Sequence, residues 1–381
     1  MLYYAHQYIT KEDIEAVNAV LSSDWLTQGP AIARFEQHMA DYCGAKYAVA
    51  VTSATAALHI ACRAAGLSGN GLLWTVPNTF VASANCGRYC GAAVDFVDID
   101  DGTYNMSIHA LKQKLEASSA KPDVVVPVHF AGQSCEMEKI YELSGKHGFV
   151  VLEDASHAVG ASYHGRKVGA CQFSDMAVFS FHPVKIITSG EGGMVLTNRE
   201  DLYRKLVLLR NHGITRDVDQ LSGDGGPWYY EQQELGFNYR MTDIQAALGD
   251  SQLNKVDEFV HRRHQLAEQY RSLLADLPLR LPEQHPDADS SWHLYVVRLR
   301  LQEIRKSKKK IFEEMKQKGV ALNVHYIPVH LQPYYQKLGF QAGDFPVSEQ
   351  YYKEAFTLPL YYGMSDAQQQ YVSDCLHEIL A

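Results

Sequence analysis

The run Phe179-Ser180-Phe181-His182-Pro183-Val184-Lys185-Ile186-Ile187-Thr188-Ser189-Gly190-Glu191-Gly192-Gly193 settles how the last strands of the sheet are arranged. Apolar residues up to Phe181, followed by a turn at Pro183, read as a strand, and the Gly-rich end of the run is too flexible for a helix. The next apolar run starts at Met194, so no crossover helix fits between the two strands and they are predicted to be antiparallel. The same stretch offers one amine, Lys185, among apolar and aromatic neighbours. A lysine attacks carbonyls when burial or nearby cations lower its pKa and free the lone pair. On spacing alone the more common reading is a solvated lysine in a loop between strands. Partners for Lys185 must therefore come from elsewhere in the chain.

Working outward, short apolar runs lie at residues 47–51, 94–97, 124–128, 149–152, 176–181 and 194–197. Helical stretches at 54–65, 80–90, 108–117 and 135–146 connect the earlier ones. Strands alternating with helices predict a parallel sheet covered on both faces, with ligands bound beyond the carboxyl ends of the strands. Two motifs fall at such ends. Thr52-Ser53-Ala54-Thr55-Ala56-Ala57 opens an Ala-rich helix, where free N–H groups and the helix dipole favour a phosphate, although Ser and Thr are also ordinary N-caps. Glu153-Asp154-Ala155-Ser156-His157 places a carboxylate that could hold a protonated ring nitrogen or serve as a structural cap.

Composition limits the partners. A net charge of -9 lacks the basic footprint that nucleic acid or an anionic membrane requires. Seven cysteines without C-x-x-C spacing make neither a disulfide framework nor a zinc site, which reads as a reducing compartment. The start, Met1-Leu2-Tyr3-Tyr4-Ala5-His6-Gln7, has no basic n-region or long apolar core, and no stretch approaches ~18–20 apolar residues, so a cytoplasmic protein is expected. Thr10 is expected to cap a helix over 10–21 with Asp13 in its first turn, and Asp24-Trp25-Leu26-Thr27-Gln28-Gly29-Pro30 follows as a turn-forming segment. From Met241 a long helical pattern carries a five-residue step near Gly249, which predicts a bend and a bridge to a second domain. That domain is expected to hold strands at 294–299 and 321–326 and a basic helix start at 305–310. The proposed boundaries are 1–250 for an N-terminal arm with a large domain and 251–381 for a small one. His325 and His330 invite a metal reading, but Pro328 lies between them and no Cys or carboxylate completes a set, so no metal is expected.

A phosphate-holding helix start, a strand-end Asp and a pocket Lys together describe a site for pyridoxal 5'-phosphate (PLP) with a Schiff base at Lys185. These motifs resemble the DegT/DnrJ/EryC1/StrS family of sugar-nucleotide aminotransferases. The likeness extends through Trp25-Leu26-Thr27-Gln28-Gly29-Pro30, Pro77-Asn78-Thr79-Phe80-Val81-Ala82, Ser180-Phe181-His182-x-x-Lys185, Glu191-Gly192-Gly193 and Gly236-Phe237-Asn238-Tyr239-Arg240-Met241-Thr242-Asp243. The resemblance implies an α/β protein of PLP-dependent transferase fold type I, with a large, mostly parallel seven-stranded sheet and a smaller C-terminal α/β domain. It implies Lys185 and Asp154 as catalytic residues. It further implies Ser53, Ala54, Thr55, Phe80, His157, Ser180 and, from the partner subunit of a homodimer, Asn238 around the cofactor. Tyr4, Asp24, Trp25, Leu26, Thr27, Arg240, His325 and Tyr326 would line the substrate site. Leu26-Thr27-Gln28-Gly29, Pro127-Val128-His129-Phe130-Ala131-Gly132-Gln133 and Ser156-His157-Ala158 point within the family to amination, from L-glutamate, of C4 of UDP-4-keto-6-deoxy-N-acetyl-beta-L-altrosamine, as in pseudaminic acid biosynthesis. Alternatives are another nucleotide-linked 3- or 4-keto-6-deoxy sugar, or a PLP-binding module with an inactive site; a related sugar dehydratase would carry histidine in place of Lys185. One departure is Gly69-Asn70-Gly71-Leu72-Leu73-Trp74-Thr75-Val76, where relatives carry an acidic turn; only local changes are expected from it.

Overall fold

The computed structural model describes residues 1–223 and 225–380. Seven short runs become the strands of one sheet: β1 Tyr47–Val51, β2 Leu72–Thr75, β3 Ala93–Phe96, β4 Val124–Val125, β5 Val150–Asp154, β6 Met176–Ser180 and β7 Gly193–Thr197. They lie in the order β1-β7-β6-β5-β4-β2-β3. The pairs β3–β2, β2–β4, β4–β5 and β5–β6 are parallel, and β7 runs antiparallel to both β6 and β1. The antiparallel step after Phe181 is thus as expected. The strand missing from the sequence reading is β2, whose four residues, Leu72-Leu73-Trp74-Thr75, are short and hemmed by Gly71 and Pro77. The third expected strand is also shorter than read, because Pro127 has no N–H for the ladder, although Val128 still bridges Asp154.

Side chains alternate across the sheet, as the two-residue period of a strand requires. Val49 and Val51 of β1 join one buried cluster with Leu58 and Ile60, while Ala48 and Ala50 join Phe35, Phe179 and Met194 on the other face. Helix α1 (Lys11–Leu21) begins as predicted, with the Thr10 N–H donating to the Asp13 carboxylate at 2.8 Å. Asp13 does more than cap. Fully buried, it also accepts from Lys255 Nζ at 2.7 Å and so ties the N-terminal arm to residues far along the chain.

Helices α2 (Pro30–Cys43), α3 (Ala54–Ala64), α4 (Ala82–Tyr89), α5 (Ile108–Ala117), α6 (Met137–His147) and α7 (Glu200–Arg210) follow, and the helical pattern after Met241 divides into α8 (Asp243–Leu253) and α9 (Val256–Leu273). The break is at residues 254–255 and not at Gly249, which corrects the expected bend. Gly249 is small for a packing reason: a Cβ there would lie 2.7 Å from the Phe35 ring. A second sheet, β8 (Leu279–Arg280), β9 (Tyr295–Leu299) and β10 (Ala355–Leu358), is antiparallel, and β9 and β10 share an apolar cluster with α9 and the C-terminal helix. Residues 321–326 are not a strand. Asn323 makes one isolated bridge to Thr357, and His325 and Tyr326 belong to no ladder. Among the described residues no helix is long and apolar enough to cross a membrane.

Candidate active site

A cavity of about 800 Å³ opens at the carboxyl ends of β1, β5 and β6. Lys185 projects into it from the loop after β6. The backbone of that loop is pinned by Lys185 N–H to His182 O (2.9 Å) and Ser189 N–H to Phe181 O (3.0 Å). Ile186 and Ile187 beside it are buried, whereas Lys185 lines the cavity. Burial pushes the Lys185 ammonium down to about 8, with the charge of Asp154 acting in the opposite direction. No carboxylate among the described residues forms an ion pair with it.

Asp154 ends β5 and is 5 % exposed. Its carboxylate accepts from Ser83 Oγ at 2.6 Å and from the Ser156 N–H at 3.1 Å. Ser83 comes from α4 (Ala82–Tyr89) and also lies 2.7 Å from Thr79 Oγ1, so two donors, one of them oriented by Thr79, hold a carboxylate that forms no ion pair among the described residues. Opposite lies the start of α3 (Ala54–Ala64), capped by Ser53, whose Oγ accepts from Ala56 N–H. The first-turn N–H groups of Ala54 and Thr55 have no helical partner and point outward. Gly193 closes on this turn so tightly that a Cβ would sit 2.5 Å from Ala54 N, and Ser180 lines the wall between.

Histidines fill the remaining side. The Ala131 N–H donates to His157 Nδ1 at 3.3 Å, so Nε2 carries the ring proton and donates to Tyr326 Oη at 3.1 Å. Both nitrogens of His157 therefore have protein partners, and the hydroxyl it presents to the cavity is that of Tyr326. His325 bonds Thr357 Oγ1 at 2.7 Å, and its ring packs on Tyr4 at 4.8 Å between centroids. Burial, reinforced by the charge of Lys185, lowers His157 well below the usual imidazole range and takes His325 to about 3. The imidazoles are neutral at pH 7.

Of the residues expected from sequence, the cavity unites Tyr4, Ser53, Ala54, Thr55, Phe80, Asp154, His157, Ser180, Lys185, His325 and Tyr326. It does not include Asp24, Trp25, Leu26, Thr27, Asn238 or Arg240 of the same chain. The first four are exposed, Asn238 is exposed beside Asn211, and Arg240 donates to Asn211 Oδ1 at 2.7 Å. Sequence reading missed Thr79, Ser83, Ser156 as a ligand of Asp154, and His293. Ser83 directly follows the Pro77–Ala82 motif, a helix-start hydroxyl and thus a usable signal; His293 carried none.

The chemistry of this arrangement fits one cofactor. A strand-end carboxylate held for a ring nitrogen, two free N–H groups for a phosphate and a lysine kept partly neutral match PLP, and Phe80, 58 % exposed at the cavity mouth, is the aromatic face that a bound ring would cover. A sequence profile of the DegT/DnrJ/EryC1/StrS aminotransferase family matches residues 7–377. The chain belongs to this family. Among curated relatives, the spore coat polysaccharide biosynthesis protein SpsC of Bacillus subtilis is 39% identical over 381 residues, covering 99% of this chain and 96% of that protein. The UDP-4-amino-4,6-dideoxy-N-acetyl-beta-L-altrosamine transaminase of Campylobacter jejuni is 36% identical over 384 residues, covering 100% and 98%. Among solved structures, PseC of Helicobacter pylori, an aminotransferase of pseudaminic acid biosynthesis, superposes with a TM-score of 0.90 at 32% identity, covering 100% of this chain and 99% of that one. The sugar aminotransferase Spr1654 of Streptococcus pneumoniae, solved in a PLP form, superposes with a TM-score of 0.89 at 28% identity, covering 99% of each chain. This protein is a PLP-dependent sugar aminotransferase of fold type I.

Proposed function

We propose that the protein transfers the amino group of L-glutamate to C4 of UDP-4-keto-6-deoxy-N-acetyl-beta-L-altrosamine, giving the UDP-4-amino-4,6-dideoxy sugar of pseudaminic acid biosynthesis. The observation that carries the substrate assignment is the 36% identity, across the whole chain, to a transaminase named for that product. When bound, the cofactor supplies an electron sink for the carbon that bears the nitrogen. The protein's own part is proton transfer and orientation. Lys185 Nζ removes the α-proton of the donor and, in the return half, delivers a proton to C4 of the sugar; the face it addresses sets the stereochemistry. Asp154, fixed by Ser83 and Ser156, keeps the ring nitrogen protonated. Phe80 covers the ring, and the α3 start with Ser180 holds the phosphate.

Asn238 lies outside the cavity of its own chain, which supports a homodimer in which Asn238 of the partner subunit completes the phosphate site, with the Asp24 to Thr27 segment and Arg240 near the same junction. The cytoplasm is the compartment this reading assigns.

The test is the visible spectrum of the purified protein, followed on addition of L-glutamate and then of the keto sugar made with its upstream dehydratase. The band should bleach and then return. Bleaching without return would reject this sugar and favour another nucleotide-linked 3- or 4-keto-6-deoxy sugar, a reading supported by the 39% identity to the spore coat polysaccharide protein. Absence of bleaching would remove L-glutamate as donor or mark an inactive site.

A further inference from the structure

Arg263, on α9, is 2 % exposed, and no carboxylate among the described residues pairs with it. Its Nη1 donates instead to three main-chain carbonyls: Leu360 at 3.0 Å, Trp292 at 3.2 Å and His293 at 3.3 Å. Burial lowers it only to about 10, so it stays charged at neutral pH. A buried guanidinium without a counter-ion is costly to the fold, and because its Nε has no partner among the described residues, the three carbonyls on Nη1 carry the compensation. What these donors hold is therefore informative.

Both chain segments it grips lead into the cavity. The strap of residues 290–294 lies across the backbone of the cofactor site: Ser291 Oγ donates to His157 O at 2.9 Å, the Ser291 N–H to Gly132 O at 3.1 Å and the Leu294 N–H to Ala131 O at 3.2 Å. Trp292, at φ 49°, is in the left-handed region that an L side chain enters at a cost. His293 next to it lines the cavity, with its ring centroid 4.4 Å from that of His157. No hydrogen bond among the described residues holds that ring, and its buried Nδ1 has no partner. Its position accordingly depends on its backbone, and Arg263 grips that backbone. On the other side, the Leu360 N–H donates to Tyr4 O at 3.1 Å, and Tyr4 packs its ring on His325.

We propose that Arg263 is a positioning residue of the active site: through the carbonyls of Trp292, His293 and Leu360 it keeps the His293 ring packed on His157 and the Tyr4 ring packed on His325. The groups facing His293 are His157, Lys185, His325 and Arg263 itself, all neutral or positive, so the clamp also places one fixed positive charge behind an otherwise neutral imidazole wall.

The experiment uses the PLP-loaded protein with Arg263→Met, Arg263→Lys and His293→Leu. Three quantities are read: melting temperature, the pH at which the visible band of the bound cofactor titrates with no substrate present, and the single-turnover rate with L-glutamate. Arg263→Met should bind PLP at full stoichiometry, lose at least tenfold in rate and shift the titration upward by half a pH unit or more, because loosened His293 and Tyr4 rings admit water beside a cation that burial disfavours. Arg263→Lys, which can still donate to several carbonyls, should recover most of both. A lower melting temperature with unchanged rate and titration would overturn the proposal, since a merely structural residue would do only that. Should Arg263→Met fail to fold, His293→Leu decides: it leaves the clamp and removes the ring, so a tenfold rate loss supports the proposal and wild-type behaviour overturns it. The rate measurement rests on L-glutamate as donor. The titration does not, so a wild type that fails to bleach would overturn the donor assignment and leave the titration to judge Arg263.

Discussion

Asp154 and Lys185 make opposite demands on each other, and Asp154→Asn separates them. Burial lowers the Lys185 amine from an ordinary 10.5 to about 8, and the Asp154 carboxylate opposes that shift. At pH 7 roughly one lysine in eleven is then neutral, against about one in three thousand for an unperturbed side chain, a gain of ~300-fold in free amine. Removing the carboxylate charge can only lower the amine further, so Asp154→Asn apoprotein should load PLP at saturating cofactor as fast as wild type or up to ~5-fold faster at pH 7. Transamination should move the other way. The charge-assisted bond to the ring nitrogen is worth about 1.5–3 kcal/mol, so the half-reaction with L-glutamate should slow by ~10- to 150-fold. The asparagine is isosteric, and Ser156 N–H and Ser83 Oγ can still bond it, so the geometry is kept. Stopped-flow growth of the visible band measures loading, and rapid mixing with L-glutamate measures the second rate. In wild type the loading rate should climb about tenfold per pH unit until it levels near pH 8. If Asp154→Asn slows loading by the same factor as transamination, Asp154 acts on the lysine and not on the cofactor, and the division of roles argued here is wrong.

Three further outcomes are expected. Because the folded state holds Lys185 at about 8 against 10.5, it binds fewer protons than the unfolded chain, so the amine costs up to about 3 kcal/mol below pH 8, a cost that vanishes as pH rises to 10.5. Lys185→Met apoprotein should therefore melt up to ~4 °C higher than wild type at pH 7, with the difference fading by pH 10.5 in a calorimetric series. Ser83→Ala removes the 2.6 Å bond to Asp154 and should slow the L-glutamate half-reaction about tenfold while the absorbance of bound PLP stays stoichiometric. Mixing inactive Lys185→Ala with inactive Asn238→Ala protein under subunit exchange should restore about a quarter of wild-type activity, since half the dimers are mixed and each has one intact site. No recovery in this assay would refute the shared site.

The fold was legible wherever a local pattern sufficed. Strands β1, β5, β6 and β7 follow from apolar runs between turn residues, and the antiparallel β7 follows from a connection too short to hold a helix. Where tertiary packing decides, the pattern misled. β2 is only four residues long and owes its strand state to neighbours on both sides. Gly249 looked like a bend and is a contact with Phe35. Residues 321–326 have strand-like composition, but only Asn323 pairs main chain to main chain, with Thr357, while His325 and Tyr326 are recruited by Thr357 Oγ1, Asn78 Oδ1 and His157 instead of a ladder.

The site divides along the same line. Lys185, Asp154 and the α3 start each announce themselves locally, because a strand end or a helix start with the right residue is itself the functional element. Ser83 bonds a carboxylate 71 positions away, Ser291 reaches His157 across 134, and Arg263 reaches Leu360 across 97. Such residues act only through what the fold brings to them, and their side chains are ordinary in sequence: a serine in a helix, an arginine among other charges on α9. The structure distinguishes them by an imbalance. Among the described residues, an anion without a cation at Asp154 and a cation without an anion at Arg263 are each bound by neutral donors or acceptors, each beside a cavity whose lysine is partly neutral. A salt bridge at either place would satisfy the fold equally well but would spend the charge locally. Left unneutralised among the described residues, Asp154 would remain available to a ring nitrogen, and Arg263 keeps its charge behind His293.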